Sequence, residues 1–330
     1  MGKPSLIPFE PFPGLGNPIA QTILGAQIPG RVDLPPRTLH KIPLSDTARL
    51  VCLELPGSRP EAPVCILMHG MGGCSESAYM RRIALKLHQQ GLGVFMVNHR
   101  GSGPGMGLAD RLWNGGSSED LAGVVGYVTA RFDRAPVILA GFSLSGNILL
   151  KYLGEGNYIP RQVRAALAVN PPVDLKAASL AISTGPWAGT FNRYYMRLIN
   201  RQMRALRECY PESFAPAGEP RTIYEFDAAY TAPAAGFRDV EDYYRQCSAG
   251  PCIENITVPT TILCSRDDPF IPSRVFDELR PSLCVELYRP ERGGHMGYLA
   301  RRGLPTGDRR WMDYFVVQWA LESLPAPARL

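Results

Sequence analysis

The chain has 330 residues, 45% of them apolar, and no low-complexity tract, which is enough to bury a substantial core in one large α/β domain or two smaller ones. Its formal charge of +5 comes almost wholly from arginines scattered along the chain, a mild solubility charge rather than the clustered basic footprint of a nucleic-acid binder. No run approaches the roughly 18 apolar residues that a membrane span needs, the first residues lack a signal-peptide core, and Leu6 stands where an N-myristoylation pattern wants Ser or Thr.

Residues 1–36 are rich in proline and glycine without periodicity and read as an arm lying over the domain surface. Residues 39–44 and 49–55 partly alternate polar and apolar positions and predict two antiparallel strands joined at Ser45-Asp46-Thr47. Residues 64–68 are a continuous apolar run, as in a strand buried on both faces, leading through His69-Gly70-Met71-Gly72-Gly73 into a helix over 76–90. A strand at 94–98, a glycine-rich loop at 101–107, a helix at 118–130, a strand at 137–140, a helix to about 153 and a strand at 165–169 follow. Such alternation predicts an α/β fold, a mostly parallel central sheet with helices on both faces. From 174 to 252 the alternation stops, and aromatic, arginine-rich stretches at 192–207 and 240–246 predict a helical lid inserted into a single domain spanning 1–330. Strands resume at 260–264 and 283–288 around a helix at 273–279, and a helix over 309–322 closes the chain.

The eight cysteines, Cys52, Cys65, Cys74, Cys209, Cys247, Cys252, Cys264 and Cys284, form no C-x-x-C pair. Neither a metal site nor a disulfide framework is expected, and the reducing cytoplasm is the compartment that fits. Several fall in expected strands, where a free thiol behaves as a small hydrophobe.

The junction at Gly141-Phe142-Ser143-Leu144-Ser145-Gly146 carries the chemistry. A strand running straight into a helix through a turn flanked by small residues holds Ser143 in a strained conformation with its hydroxyl above the sheet, a nucleophile elbow. A serine needs a base to take its proton, and the base needs a carboxylate to fix its tautomer. Of five histidines, His40 and His88 sit in elements and read as structural, while His69 and His99 follow strands but are embedded in loops with other tasks. His295, in Gly293-Gly294-His295-Met296-Gly297 after the last strand, is left as the base. For the acid, Asp268 in Arg266-Asp267-Asp268-Pro269 is chosen over Asp267, which is free to brace the turn; Asp174 is the outside candidate, better read as a helix cap. The order Ser, Asp, His is that of α/β-hydrolases, whose oxyanion donors are the backbone N–H after the nucleophile and one from the loop after the third strand: here Leu144 and Met71. A dinucleotide reading of the Gly70–Gly73 loop fails, since glycine is missing at Ser75 and Asn98 stands where a ribose-binding acid would.

Further stretches resemble one family. Asn17-Pro18-Ile19-Ala20-Gln21-Thr22 is similar to an N-terminal His-Leu-Gln-Thr signature without its histidine, Asn98-His99-Arg100-Gly101 to an Asn-x-Arg-Gly loop, and Ser118-Glu119-Asp120-Leu121 to an acidic helix start. Glu225-Phe226-Asp227, Tyr230-Thr231-Ala232-Pro233, Gly236-Phe237 and Tyr243-Tyr244 match the most distinctive stretch of the YheT-like α/β-hydrolases, the AB hydrolase superfamily type 4; Asp267-Asp268-Pro269 and Gly294-His295-x-Gly297 complete the pattern over nearly the whole chain. The elbow departs from the family's Gly-Phe-Ser-Leu-Gly-Gly-Asn at Ser145, a change expected to touch only local packing. The resemblance implies a triad of Ser143, Asp268 and His295, no metal and no nucleotide cofactor, and a serine esterase acting on a small-molecule ester or lipid. Transfer of the acyl group to an alcohol, or a non-catalytic binding protein on the same fold, are the alternatives.

In the lid, Tyr195, Leu198, Ile199, Gln202 and Leu206 recur on one helical face and Arg193, Arg197, Arg201 and Arg204 on the other. One reading is a solvated arginine face over a buried stripe; the other is a roof over an acyl pocket whose arginines make weak peripheral contact with an anionic membrane surface.

Overall fold

The computed structural model describes residues 6–28, 32–213 and 215–324; residues 1–5 of the expected arm and residues 29–31 within it lie outside these. The first helix, α1 (Pro18–Gln27), is followed by β1 (Thr38–Pro43), β2 (Arg49–Leu55), β3 (Val64–Met68), α2 (Ala78–Gln89) and β4 (Gly93–Asn98). Then come α3 (Ser118–Arg131), β5 (Val137–Phe142), α4 (Leu144–Gly154) and β6 (Val163–Val169). The insertion holds α5 (Leu175–Thr184), α6 (Ala188–Cys209), α7 (Ile223–Phe226), α8 (Ala232–Ala234) and α9 (Val240–Cys247). The chain then forms β7 (Thr260–Leu263), α10 (Arg274–Asp277), β8 (Val285–Tyr288) and α11 (Trp311–Glu322).

The eight strands make one sheet in the order β1-β2-β4-β3-β5-β6-β7-β8. β2 runs antiparallel to β1 and β4, and every other pairing is parallel. β3, β4 and β5 are buried along their whole length, which is why their apolar runs do not alternate. On one face Val124, Val125 and Val128 of α3 and Ile148–Leu150 of α4 pack with the sheet. On the other, Met80, Ile83 and Leu87 of α2 meet Trp311, Phe315 and Trp319 of α11. A buried Arg82–Asp313 pair (2.8 Å), with Lys86 on the same carboxylate, ties these two helices together.

The topology places the site. β3 lies between β4 and β5, so the chain leaves β3 to one side and returns on the other. The carboxyl ends of β3 and β5 therefore flank a crevice at a switch in strand order, the usual ligand site of an open α/β sheet.

Three expectations change. The arm contains a ten-residue helix, α1, started by Pro18 after Asn17, whose Oδ1 accepts from the Ile19 and Ala20 amides. The helix expected over 273–279 is a single turn, Arg274–Asp277, against which Arg289 donates to the Ser273 carbonyl and the Asp277 carboxylate. The lid helix is longer than the expected stretch, 22 residues.

Candidate active site

At the junction of β5 and α4, Ser143 has φ +52° and ψ −122°, a conformation that an L-residue keeps only when its surroundings over-determine it. They do so here: a Cβ on Gly141 would come 2.5 Å from the Ser145 carbonyl oxygen. The other described non-glycine residues with positive φ are Asn170, Met296 and Tyr298, and the bonds below join the loops that carry them to the same site.

His295 Nε2 lies 2.9 Å from Ser143 Oγ, and its Nδ1 2.8 Å from Asp268 Oδ2. An ionised carboxylate only accepts, so Nδ1 carries the proton and Nε2 is left to accept from the serine hydroxyl. Asp268 is held from both sides: Oδ1 accepts from the amides of Phe270 (2.8 Å) and Ile271 (3.2 Å), and Oδ2 from Asn170 Nδ2 (2.6 Å). Asp267 braces the turn, its Oδ1 accepting from the Gly294 amide at 2.9 Å, and burial raises its pKa above the ordinary carboxylate value. Asp174 caps α5 by accepting from the Ala177 amide. The residues expected to act together thus meet, and the two rival aspartates stand elsewhere.

Asn170 was not singled out from the sequence. At the end of β6 its side chain donates to Asp268, and its carbonyl oxygen accepts from Tyr298 Oη at 3.1 Å, so one amide links the carboxylate to the histidine loop. The arm supplies a second brace. The His295 amide donates to Thr22 Oγ1 (2.9 Å), whose own proton goes to the Pro18 carbonyl. Gln21, fully buried, donates to the Leu15 and Leu299 carbonyls and accepts from the Leu299 amide. The loop can approach α1 this closely only because Gly297 lacks a side chain: a Cβ there would sit 2.4 Å from the Gln21 carbonyl oxygen. The Gln-Thr pair of the family signature was the available signal, but the arm reading hid its partner.

Ser145 has a larger task than packing. It is fully buried, and its hydroxyl donates to the His69 carbonyl while His99 Nε2 stands 2.7 Å away. With the serine proton engaged, His99 must donate, so a chain runs from His99 through Ser145 to the start of the Met71 loop. Burial pulls the pKa of His69 down to about 4 and that of His99 well below the usual imidazole value; both are neutral. His40 of β1 is bridged between Glu54 of β2 (2.6 Å) and Tyr127 of α3, and His88 lies on α2.

Two cavities open on Ser143 and His295. The larger, about 390 Å³, is walled by Tyr79, Phe191, Tyr194, Tyr195, Phe270 and Met312; the smaller, about 80 Å³, includes Met71 and Leu144 in its wall. α6 roofs them. Its Phe191 ring meets Phe270 edge-on at 4.5 Å, and a Cβ on Gly72 would lie 2.6 Å from Leu198. Met196, Ile199, Met203 and Leu206 bury the inner side, while Arg193, Arg197, Arg201 and Arg204 are exposed. Among the described residues no group of His, Cys, Asp and Glu could hold a metal ion, and no helix is long and apolar enough to cross a membrane.

A serine hydroxyl, an imidazole that can take its proton and a carboxylate fixing that imidazole make an activated nucleophile. The family model described as serine aminopeptidase, S33 (Hydrolase_4), matches residues 59–284. Among curated proteins, the chain is 31% identical to the YheT protein of Escherichia coli (strain K12), which carries an esterase name, over 96% of this chain and 94% of that one. It is 27% identical to a monoacylglycerol lipase of Saccharomyces cerevisiae over 76% of this chain but only 57% of the lipase. Among solved structures, the Pyrococcus furiosus esterase Pf2001 superposes with a TM-score of 0.56 at 13% identity, covering 90% of this chain and 97% of that one, a likeness of fold.

Proposed function

The chain belongs to the Hydrolase_4 family of α/β-hydrolases and stands with its YheT-like proteins, and we propose that it is a serine hydrolase that cleaves carboxylic esters, acyl lipids among them, through a covalent acyl-enzyme. The observation that carries this reading is the Asp268–His295–Ser143 chain, at 2.8 and 2.9 Å, opening into a mostly apolar cavity.

In the proposed reaction Ser143 Oγ attacks the ester carbonyl carbon as its proton passes to His295 Nε2. Asp268 holds the Nδ1 proton and stabilises the imidazolium. The carbonyl oxygen, now anionic, meets the N–H groups of Met71 and Leu144. Leu144 stands at the first position of α4, where the N–H has no helical partner, and each such donor is worth about 100- to 1,000-fold in kcat. Collapse breaks the ester C–O bond, the alcohol leaves with the Nε2 proton, and the acyl group stays on Oγ. A water, giving its proton to Nε2, attacks the acyl carbon; the C–Oγ bond then breaks, the carboxylic acid leaves, and Oγ takes the proton back from Nε2, restoring Ser143. The sequence of steps calls on no metal and no cofactor. An alcohol in place of that water would make the reaction acyl transfer.

We take the sheet and the insertion as one domain, because the cleft is closed between them. Buried free thiols at Cys52, Cys65, Cys247 and Cys264 favour the cytoplasm.

A fluorophosphonate probe should label the protein and fail to label Ser143→Ala; an unlabelled wild-type protein would mean a non-catalytic scaffold. A chain-length panel of p-nitrophenyl esters, run with and without an acceptor alcohol, should then give turnover and separate hydrolysis from transfer.

A further inference from the structure

The smaller cavity contains a group that the reaction does not use. Besides Ser143 and His295 it is lined by Asp227, Ser179, Tyr243 and Tyr244, all from the insertion. Asp227 lies in the wide turn of Asp227–Thr231 between α7 and α8. Its Oδ1 accepts from Thr231 Oγ1 at 2.7 Å and its Oδ2 from Tyr244 Oη at 2.9 Å. With its proton given to the carboxylate, the Tyr244 hydroxyl can only accept from Ser179 Oγ, 2.8 Å away. Both partners of Asp227 are neutral, and among the described residues no Arg, Lys or His forms an ion pair with it. The carboxyl is enclosed by protein, which raises its pKa to about 6, and the residue as a whole keeps partial exposure. At neutral pH it is therefore an uncompensated carboxylate, and a buried charge without a counter-ion is among the more destabilising features a protein can carry. The rest of the wall is apolar, with Leu175, Ile182 and Ile223 beside the rings of Tyr195, Tyr243 and Phe270, and aromatic faces attract cations.

Resting on the reading that Ser143 is the nucleophile, we propose that the smaller cavity is a binding subsite for a short ester substituent ending in a protonated amine, with Asp227 as its counter-ion. At about 80 Å³ it is much the smaller of the two cavities and suits a short substituent. The other substituent occupies the large apolar cavity. Amine-ended esters are thus preferred over their hydroxyl and methyl isosteres, which leave the carboxylate unpaired.

The test uses two sets of isosteres at pH 7, one for each orientation of the ester. The first comprises octyl butanoate, octyl 3-hydroxypropanoate and octyl 3-aminopropanoate; the second, propyl, 2-hydroxyethyl and 2-aminoethyl octanoate. In one of the sets, kcat/KM for the amine should exceed that for the methyl and hydroxyl isosteres by about 10-fold or more, the worth of a hydrogen bond to a charged group. Asp227→Asn, which keeps the shape and removes the charge, should bring that ratio close to unity. The ratio is independent of how much enzyme is folded, and fluorophosphonate titration counts the active fraction of each variant separately. Equal rates, a methyl or hydroxyl preference in both sets, or an amine preference that survives Asp227→Asn would overturn the proposal. Turnover of p-nitrophenyl esters serves as the control: if it is present and neither set is discriminated, this subsite fails alone, and if no ester of any kind is cleaved, the esterase reading fails and takes the subsite with it.

Discussion

At the carboxyl edge of the sheet, position is set by hydrogen bonds and by backbone approaching backbone: Asp268 has three protein donors besides His295, and the histidine loop is pinned through Thr22, Gln21 and Gly297. In the insertion above it, position is set by apolar side chains along α6, and Asp227, whose carboxyl is enclosed, has only hydroxyl partners. The first region is over-determined, as a site that must hold reacting atoms to a few tenths of an ångström requires. The second trades stability for shape and charge in a pocket. Perturbing the edge should therefore damage turnover, and perturbing the insertion should alter selectivity and stability.

The sharpest way to break this contrast is at the carboxylates. Asp268→Asn should lower kcat by about four orders of magnitude, since an amide neither stabilises the imidazolium nor favours the Nδ1–H tautomer. Asp267→Asn keeps an oxygen for the Gly294 amide and should reduce kcat no more than about 10-fold, the worth of one hydrogen bond. Steady-state kinetics on both variants decides the assignment, and a severe Asp267 would reverse it.

Next in size is the brace from the arm. Thr22→Val leaves the His295 amide without its acceptor and should lower kcat about 10-fold with KM nearly unchanged. A pure loss of stability, with normal kcat per labelled active site, would instead make α1 a structural strap only.

Ser145→Ala tests the chain beneath the oxyanion loop. It leaves the His99 Nε2–H unpaired in a buried site, which costs about 1–3 kcal/mol, so Tm should drop by several degrees while activity falls by less than in Thr22→Val. Unchanged Tm and activity would return Ser145 to the role of packing.

In the insertion, the sign for Asp227 is opposite to that of a salt-bridged acid. Its pKa is about 6 in the folded protein against 3.8 for an ordinary aspartate, so the folded state binds the proton more tightly, and stability is lost as pH rises through that window. Asp227→Asn should accordingly raise Tm at pH 8, with the gain vanishing below about pH 4. A destabilised variant at pH 8 would show that the carboxylate is compensated after all.

The smallest expected effect lies on the outer face of α6. If its exposed arginines meet anionic lipid, binding to anionic vesicles at low salt should weaken with added salt and with Arg197→Glu plus Arg201→Glu. Binding indifferent to both, or none at all, leaves a solvated arginine face whose helix only shapes the pocket.

The strands, the elbow and the Ser, Asp, His order were readable in the chain because each is a local signal. A run of apolar residues from Val64 to Met68 reports its own burial, and a strand passing into a helix across Ser143 needs small neighbours within the same few positions. Asp268 could be preferred to Asp267 for the same reason, from the turn that carries both. By itself the sequence also determined that α6 has an apolar side and a cationic side. What it did not determine were the contacts between segments far apart in the chain. The bond from His295 to Thr22 spans 273 positions, that from Asn170 to Asp268 spans 98, and Ser145 meets the His69 carbonyl across 76. No periodicity or motif encodes such pairs, because they exist only once the sheet has brought the ends of β3, β5, β6 and β7 to one edge. Asp227 is the extreme case: the sequence marks it only as part of a family stretch, and its enclosure in the wall of a cavity that also opens on Ser143, a property of the packed insertion, makes it chemistry.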